Sequence, residues 1–404
     1  MKLARVAVLV VALLIVAVGL VGGGLGIVLS LANPNADRLP GITGSVALLV
    51  LTVGLGVLLA WHAWQAVRGR ASGPFRPGRV WPLVIVFLVA LAGGQIILME
   101  DLAPPLTFPL FHVLVAAIPS LLVLGLAGRS LAGLTRWRDM VLQVSSGTFV
   151  ATGISFLLEM VAGLGLIAIA SVGVSMRPGG QEMLQSLVER LRSPTGLEDP
   201  AFLSSLAQSA LVIGLALLVL AVIVPLVEEA AKTLGIGLMS YRRITMAQAF
   251  LWGLAGGAGF ALAEGLLNTL GGLEGWLLAM VSRIGATMMH CFVGGLMGLA
   301  WYHVLSEQRW RRGLGLYAAS VSLHGIWNAL AGGLTFLSLR MDGSTSAGPG
   351  QVWIGLALFA ALALLVLLAV AVTIGLVLLT RRVKRQSRLL GEPSGASPDG
   401  LIAS

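Results

Sequence analysis

Residues 210–232 read ALVIGLALLVLAVIVPLVEEAAK. From Ala210 to Val227 no side chain is charged, and the apolar run matches the ~30 Å hydrocarbon core that about 20 helical residues cross at ~1.5 Å each. The stretch then carries Glu228, Glu229 and Lys232, after which Leu234, Ile236 and Leu238 resume the apolar pattern. Ionisable groups inside such a run are costly in lipid, and they face protein or a water-filled cavity. This segment therefore makes the membrane the solvent for the chain.

Composition agrees with that reading. The 404 residues are 57% hydrophobic and 11% charged, with a mean hydropathy of +0.96, and a soluble domain could not enclose so much apolar side chain. Apolar stretches recur near 6–30, 42–64, 80–99, 108–128, 145–174, 213–239, 249–270, 276–303, 313–338 and 352–379. The expected fold is all-α, a polytopic transmembrane bundle of ten spans. Lys2 and Arg5 precede the first span, but its run exceeds the ~7–15 apolar residues of a cleavable signal, so a retained anchor is expected.

The net charge of +9 could suggest nucleic acid, yet the basic residues are divided among span ends. They follow the even-numbered spans, as at Arg68 to Arg79, Arg129 to Arg138, Arg242 with Arg243, Arg309 to Arg312 and Arg381 to Arg388. The alternate connections hold Asp37, Glu100, Asp101, Glu274 and Asp342. The positive-inside rule then places both termini in the cytoplasm of a cell whose inner membrane holds the protein, with no nucleic-acid partner. A lone cysteine, Cys291, forms no internal disulfide and builds no Cys-based metal site.

Polar residues divide the chain. Residues 1–174 read as scaffold helices, and 175–208 as an extracytoplasmic interfacial segment in which Met183, Leu184, Leu187, Val188 and Leu191 recur at helical spacing. Residues 209–340 form the working bundle, 341–385 the final span, and 386–404 a disordered cytoplasmic tail. Gly253 with Gly257, and Gly294 with Gly298, are small pairs four apart that let helices approach closely in lipid.

Four consecutive spans deliver polar groups to one depth. Counting ~1.5 Å per residue from the interfacial residues, Glu228, Glu264, His290 and His324 each lie roughly 16–20 Å inside. Residues four apart share a helix face, which pairs Glu228 with Lys232, Phe260 with Glu264, Glu264 with Asn268, and His324 with Asn328. Pro225 removes a helical donor just before the glutamates and can open a bend there. Carboxylates and imidazoles in a partly dry cavity are what hydrolysis needs: a base for water, and donors or a metal for the oxyanion. The rival is an ion- or proton-coupled transporter or channel, which would show repeated halves. No second copy of the pattern occurs in the sequence.

Simpler roles suit the remaining groups. Lys232 is expected to neutralise a glutamate of its own helix, Glu159 to pair with Arg283, and Cys291 to pack as a small apolar residue. His112 reads as a satisfied core histidine, and His62 and His303 as interfacial ones.

The segment PLVEEAAK at 225–232 resembles the EExxK motif of the PrsW family of intramembrane proteases. GFALAE at 259–264 is similar to its FxxxE motif, His290 to its isolated histidine, and HGIWN at 324–328 to its HxxxN motif. The family in turn resembles the CAAX-processing and bacteriocin-protection proteases. The resemblance covers spans six to nine and implies an endopeptidase acting on a membrane-embedded or membrane-adjacent protein, such as an anti-sigma factor. It implies that Glu228 or Glu229 activates water, that Glu264, His290 and His324 bind a metal or polarise the scissile carbonyl, and that Asn328 donates to the oxyanion. Zinc and a metal-free glutamate mechanism both suit these residue types. Gly265 departs from the pattern, since relatives often carry asparagine there; Asn268, one turn later, is its expected substitute.

Overall fold

The computed structural model describes residues 2–33, 38–176, 178–193, 209–239, 244–267, 273–341 and 349–391. Among these the chain is helical, with no strand and an isolated bridge between Pro74 and Arg136. In chain order the helices are α1 (Lys2–Ala32), α2 (Arg38–Val67), α3 (Trp81–Met99), α4 (Pro104–Ser130), α5 (Trp137–Ser145), α6 (Thr152–Ser175) and α7 (Gly180–Arg192). They continue with α8 (Ala210–Leu218), α9 (Val224–Lys232), α10 (Leu234–Leu238), α11 (Met246–Leu267), α12 (Trp276–Leu305), α13 (Trp310–Ser338) and α14 (Pro349–Leu389). Two π-helical turns, Ser146–Ala151 and Val219–Ile223, join α5 to α6 and α8 to α9.

Helices occupy all ten expected places. Among the described residues nine are long and apolar enough to cross a membrane. The tenth, α13, is 29 residues long, or about 43 Å at the α-helical rise, but His324, Asn328 and its serines lower its hydropathy. The span that carries the His324 and Asn328 motif is thus the least apolar of the ten. The helical spacing of 183–191 corresponds to α7. Helix α14 runs to Leu389, four residues into the stretch expected to be disordered, with Arg388 in a last turn that suits a basic side chain. Asn268 and residues 194–208 lie outside the described residues.

The chain divides into two compact units. The first comprises Met1–Thr152, Glu229–Ser320 and Val372–Ser404; the second comprises Gly153–Glu228 and Val321–Ala371.

Helix α11 is the centre of the first unit, buried along nearly its whole length. Its partner is α12. A Cβ on Gly253 would meet the backbone of Gly294 and Gly298, and one on Gly257 would meet the carbonyl of His290, so the two small pairs are the contact surface itself. Side chains of earlier helices grip the carbonyls of α11. Ser120 Oγ donates to Ala258 O at 3.0 Å, Thr148 Oγ1 in the π turn donates to Gly259 O at 2.9 Å, and His112 Nε2 lies 3.1 Å from Leu266 O. His112 Nδ1 accepts from Trp276 Nε1 at 3.1 Å. An indole nitrogen only donates, so the proton of His112 sits on Nε2 and the ring is satisfied at both ends.

In the second unit, Gly325 of α13 approaches the carbonyl of Ala221, and Asn328 Nδ2 donates to Leu220 O at 2.9 Å. Both carbonyls belong to the π turn 219–223. Pro225 follows inside the continuous helical run from Ala210 to Lys232, where its missing N–H removes one bond to the preceding turn. The local departure from α geometry expected at Pro225 therefore takes the form of a widened turn ahead of it.

Replacing Gly257 with alanine should lower the stability of the detergent-solubilised protein by about 1–3 kcal/mol, the usual cost of overpacking. Gly54 has open space at its Cβ position, and Gly54→Ala should be neutral or slightly stabilising in the same thermal-unfolding measurement. Equal effects at the two positions would refute the close-approach reading.

Candidate active site

The expected site residues fall into two local groups, one in each unit. In the first unit the centre is Lys232, the last residue of α9, which is fully buried. Its ammonium donates to Glu229 Oε1 at 2.7 Å and lies 2.8 Å from His290 Nδ1. It also sits 4.3 Å from the centroid of the Phe260 ring, within cation–π range. Lys232 thus does neutralise a glutamate of its own helix, and the partner is Glu229, three residues back. Phe260 presents its ring face to the same cation, which gives the aromatic residue of the FxxxE segment a physical role.

His290 carries the arrangement onward. An ammonium has donors and no acceptor, so Nδ1 of His290 is the unprotonated nitrogen and Nε2 bears the proton. That Nε2 lies 2.7 Å from Glu264 Oε2, and the same oxygen accepts from Arg283 Nη2 at 2.9 Å. Glu229, Lys232, His290, Glu264 and Arg283 form one line of alternating charge and hydrogen bonds. Arg283, expected to pair with Glu159, donates to Glu264. Sequence reasoning missed that role because Glu264 and Arg283 lie on different helices, and no spacing rule within one helix joins them.

Close backbone approach supports the line. A Cβ on Gly256 would meet the carbonyl of Lys232, and a Cβ on Gly235 would meet Gln143 and Ser146. Trp301 Nε1 donates to Thr233 Oγ1 at 3.0 Å, fixing the residue after Lys232.

In the second unit Glu228 Oε2 lies 3.7 Å from His324 Nε2, with both residues almost fully buried. The separation exceeds hydrogen-bond length. It is close to the ~3.4 Å between two donors held at zinc distance on a tetrahedral ion, and it also suits two groups that address one small reactant. Asn328, one turn along α13 from His324, spends one of its two N–H groups on Leu220 O. Glu228, Glu229, His290 and His324 are all buried and are of types that hold metal ions. Cys291 is buried and unbridged, as its packing role requires.

Removing the lysine charge should test the first group. Lys232→Met leaves Glu229 without its buried partner and should cost about 3–5 kcal/mol. Adding Glu229→Gln to it should restore part of the loss, as a double-mutant cycle on chemical or thermal unfolding would show. Additive losses would mean that the pair is not coupled.

Comparison with known proteins bears on the same stretch. A family model described as PrsW family intramembrane metalloprotease matches residues 196–370, which include every expected site residue from Glu228 to Asn328. No curated protein and no solved structure matches the chain. Residues 196–370 therefore belong to the PrsW family of intramembrane metalloproteases, and the chain is a multi-pass membrane protein carrying a protease of that type.

Proposed function

We propose that the protein is an endopeptidase of the bacterial inner membrane, with both termini cytoplasmic, and that Glu228 is the base that activates water. The observation that carries this is the buried Glu228 and His324 pair, 3.7 Å apart without a hydrogen bond between them. Glu229 is the less suitable base of the two, because its Oε1 already accepts from the Lys232 ammonium and protonating it would leave that cation uncompensated.

In this reading Glu228 takes the proton of a water molecule as its oxygen attacks the scissile carbonyl carbon, and later returns a proton to the departing amine. His324 faces the same carboxylate and donates to the oxygen on which charge develops. The second N–H of Asn328 Nδ2 is a further donor of the same type. Glu264 positions His290 through Nε2, as carboxylates commonly orient functional histidines.

The donor chemistry fits a zinc ion. Within the second unit, Glu228 and His324 offer a carboxylate oxygen and an imidazole nitrogen. A bound zinc would polarise the carbonyl and make water more acidic. Glu264, implied as a ligand by the motif resemblance, is occupied by Arg283 and His290 and is assigned here to orientation. The substrate class is a membrane-embedded or membrane-adjacent protein, with an anti-sigma factor as one candidate.

The test uses purified full-length protein in detergent with a panel of membrane-anchored substrates. Glu228→Gln and His324→Ala should each lower cleavage by about two to four orders of magnitude while the thermal-unfolding midpoint is retained. Cleavage unaffected by both changes would sink the assignment. Elemental analysis should find zinc in the wild type and less in His324→Ala, and active zinc-free protein would refute the metal part.

A further inference from the structure

Away from these groups, the first unit contains a cavity of about 350 Å³ that neither the motifs nor the family match assigns. It lies among the start of α1, the end of α2, the start of α5 and Met239, which follows α10. Two guanidinium groups stand in its lining, those of Arg5 and Arg138, with His62 beside them and Asp139 as the acid among the described lining residues. Val8, Leu59, Leu142 and Met239 supply apolar wall.

The two arginines are held in place by backbone carbonyls. Arg5 Nη1 donates to Ala66 O at 3.0 Å, and Arg138 Nη2 donates to Arg70 O at 2.7 Å. The backbone of Arg138 is itself pinned, its N–H donating to Ser72 Oγ at 3.0 Å. Each guanidinium has five N–H donors in a rigid fork, so a carbonyl bond orients the group without exhausting it. Met239 is fixed from the other side by Gln143 Nε2, 3.6 Å from its sulfur.

We propose that this cavity binds an anionic glycerophospholipid, with its phosphate on Arg5 and Arg138 and an acyl chain along the apolar wall. Three observations choose this occupant. The charge excess in the lining is positive, and planar guanidinium groups suit phosphate oxygens. Much of the remaining lining is apolar, which a free inorganic anion would leave unused. The lining residues stand at the ends of helices α1 and α2, both of spanning length and apolarity, the level at which lipid headgroups lie. The volume also falls within the roughly 300–1,000 Å³ usual for small-molecule sites. This inference is independent of the protease reading and concerns a different set of residues.

The experiment uses full-length protein in a neutral detergent, titrated with phosphatidylglycerol, phosphatidylcholine or inorganic phosphate, with bound lipid counted by native mass spectrometry. Phosphatidylglycerol should bind about tenfold tighter than phosphatidylcholine, and Arg5→Gln should remove most of that preference. Ala63→Leu, which fills the cavity without touching a charge, should weaken phosphatidylglycerol to a similar degree and guards against misfolding of the arginine variant. The paired change Arg381→Gln with Lys384→Gln, on the basic end of α14, should leave binding intact. The proposal is overturned if the two lipids bind equally, if inorganic phosphate binds as tightly as lipid, or if the α14 variant loses binding as Arg5→Gln does.

Discussion

A lysine with no solvent exposure is the constraint on which the described core depends. Taking an ammonium out of water costs several kcal/mol even after relaxation, and only a set of close acceptors offsets that. Lys232 has one carboxylate oxygen, one imidazole nitrogen and one aromatic face within reach. Those three partners come from three helices, α9, α12 and α11. The cation therefore specifies how the helices meet in a bilayer, where apolar side chains pack no better against protein than against lipid. His290 then passes the constraint to Glu264, and Glu264 to Arg283.

Such an arrangement needs backbones that come unusually close, and glycine supplies the room. Gly256 admits the carbonyl of Lys232, while Gly253 and Gly257 admit α12. Hydroxyls and an imidazole on α4 and the neighbouring π turn then hold the α11 carbonyls in register. The helices at the start of the chain thus do more than fill space: their few polar side chains are spent on positioning the helix that carries Phe260 and Glu264.

The fold was legible because lipid imposes so few solutions. Runs of about 20 apolar residues must be helices, since every backbone group has to be satisfied within the segment, and among the described residues a helix occupies each of the ten expected stretches. The stretch at 313–338 is the least apolar of the ten, since the His324 and Asn328 of α13 depress the signal that marks the other nine. The candidate site was legible as residues and only partly as contacts. Spacing within α9 found Lys232 and its glutamate but favoured Glu228, four residues away, over Glu229 at three. Contacts between helices, such as Arg283 with Glu264 or Lys232 with His290, depend on helix rotation and depth to within a few ångströms. No pattern in one segment encodes these.

The proposed choice between the two glutamates rests on their different nearest partners. Consecutive residues on an α-helix project about 100° apart, so the adjacent carboxylates differ in their nearest partners. Glu229 points to Lys232, where its charge balances a buried cation. Glu228 points to His324 across a gap too long for a hydrogen bond. A carboxylate that compensates a fixed charge is a poor proton acceptor, because neutralising it exposes the cation to a dry interior. The two glutamates thus reach different nearest partners, and the proposed reading assigns the core cation to Glu229 and the proton transfer to Glu228.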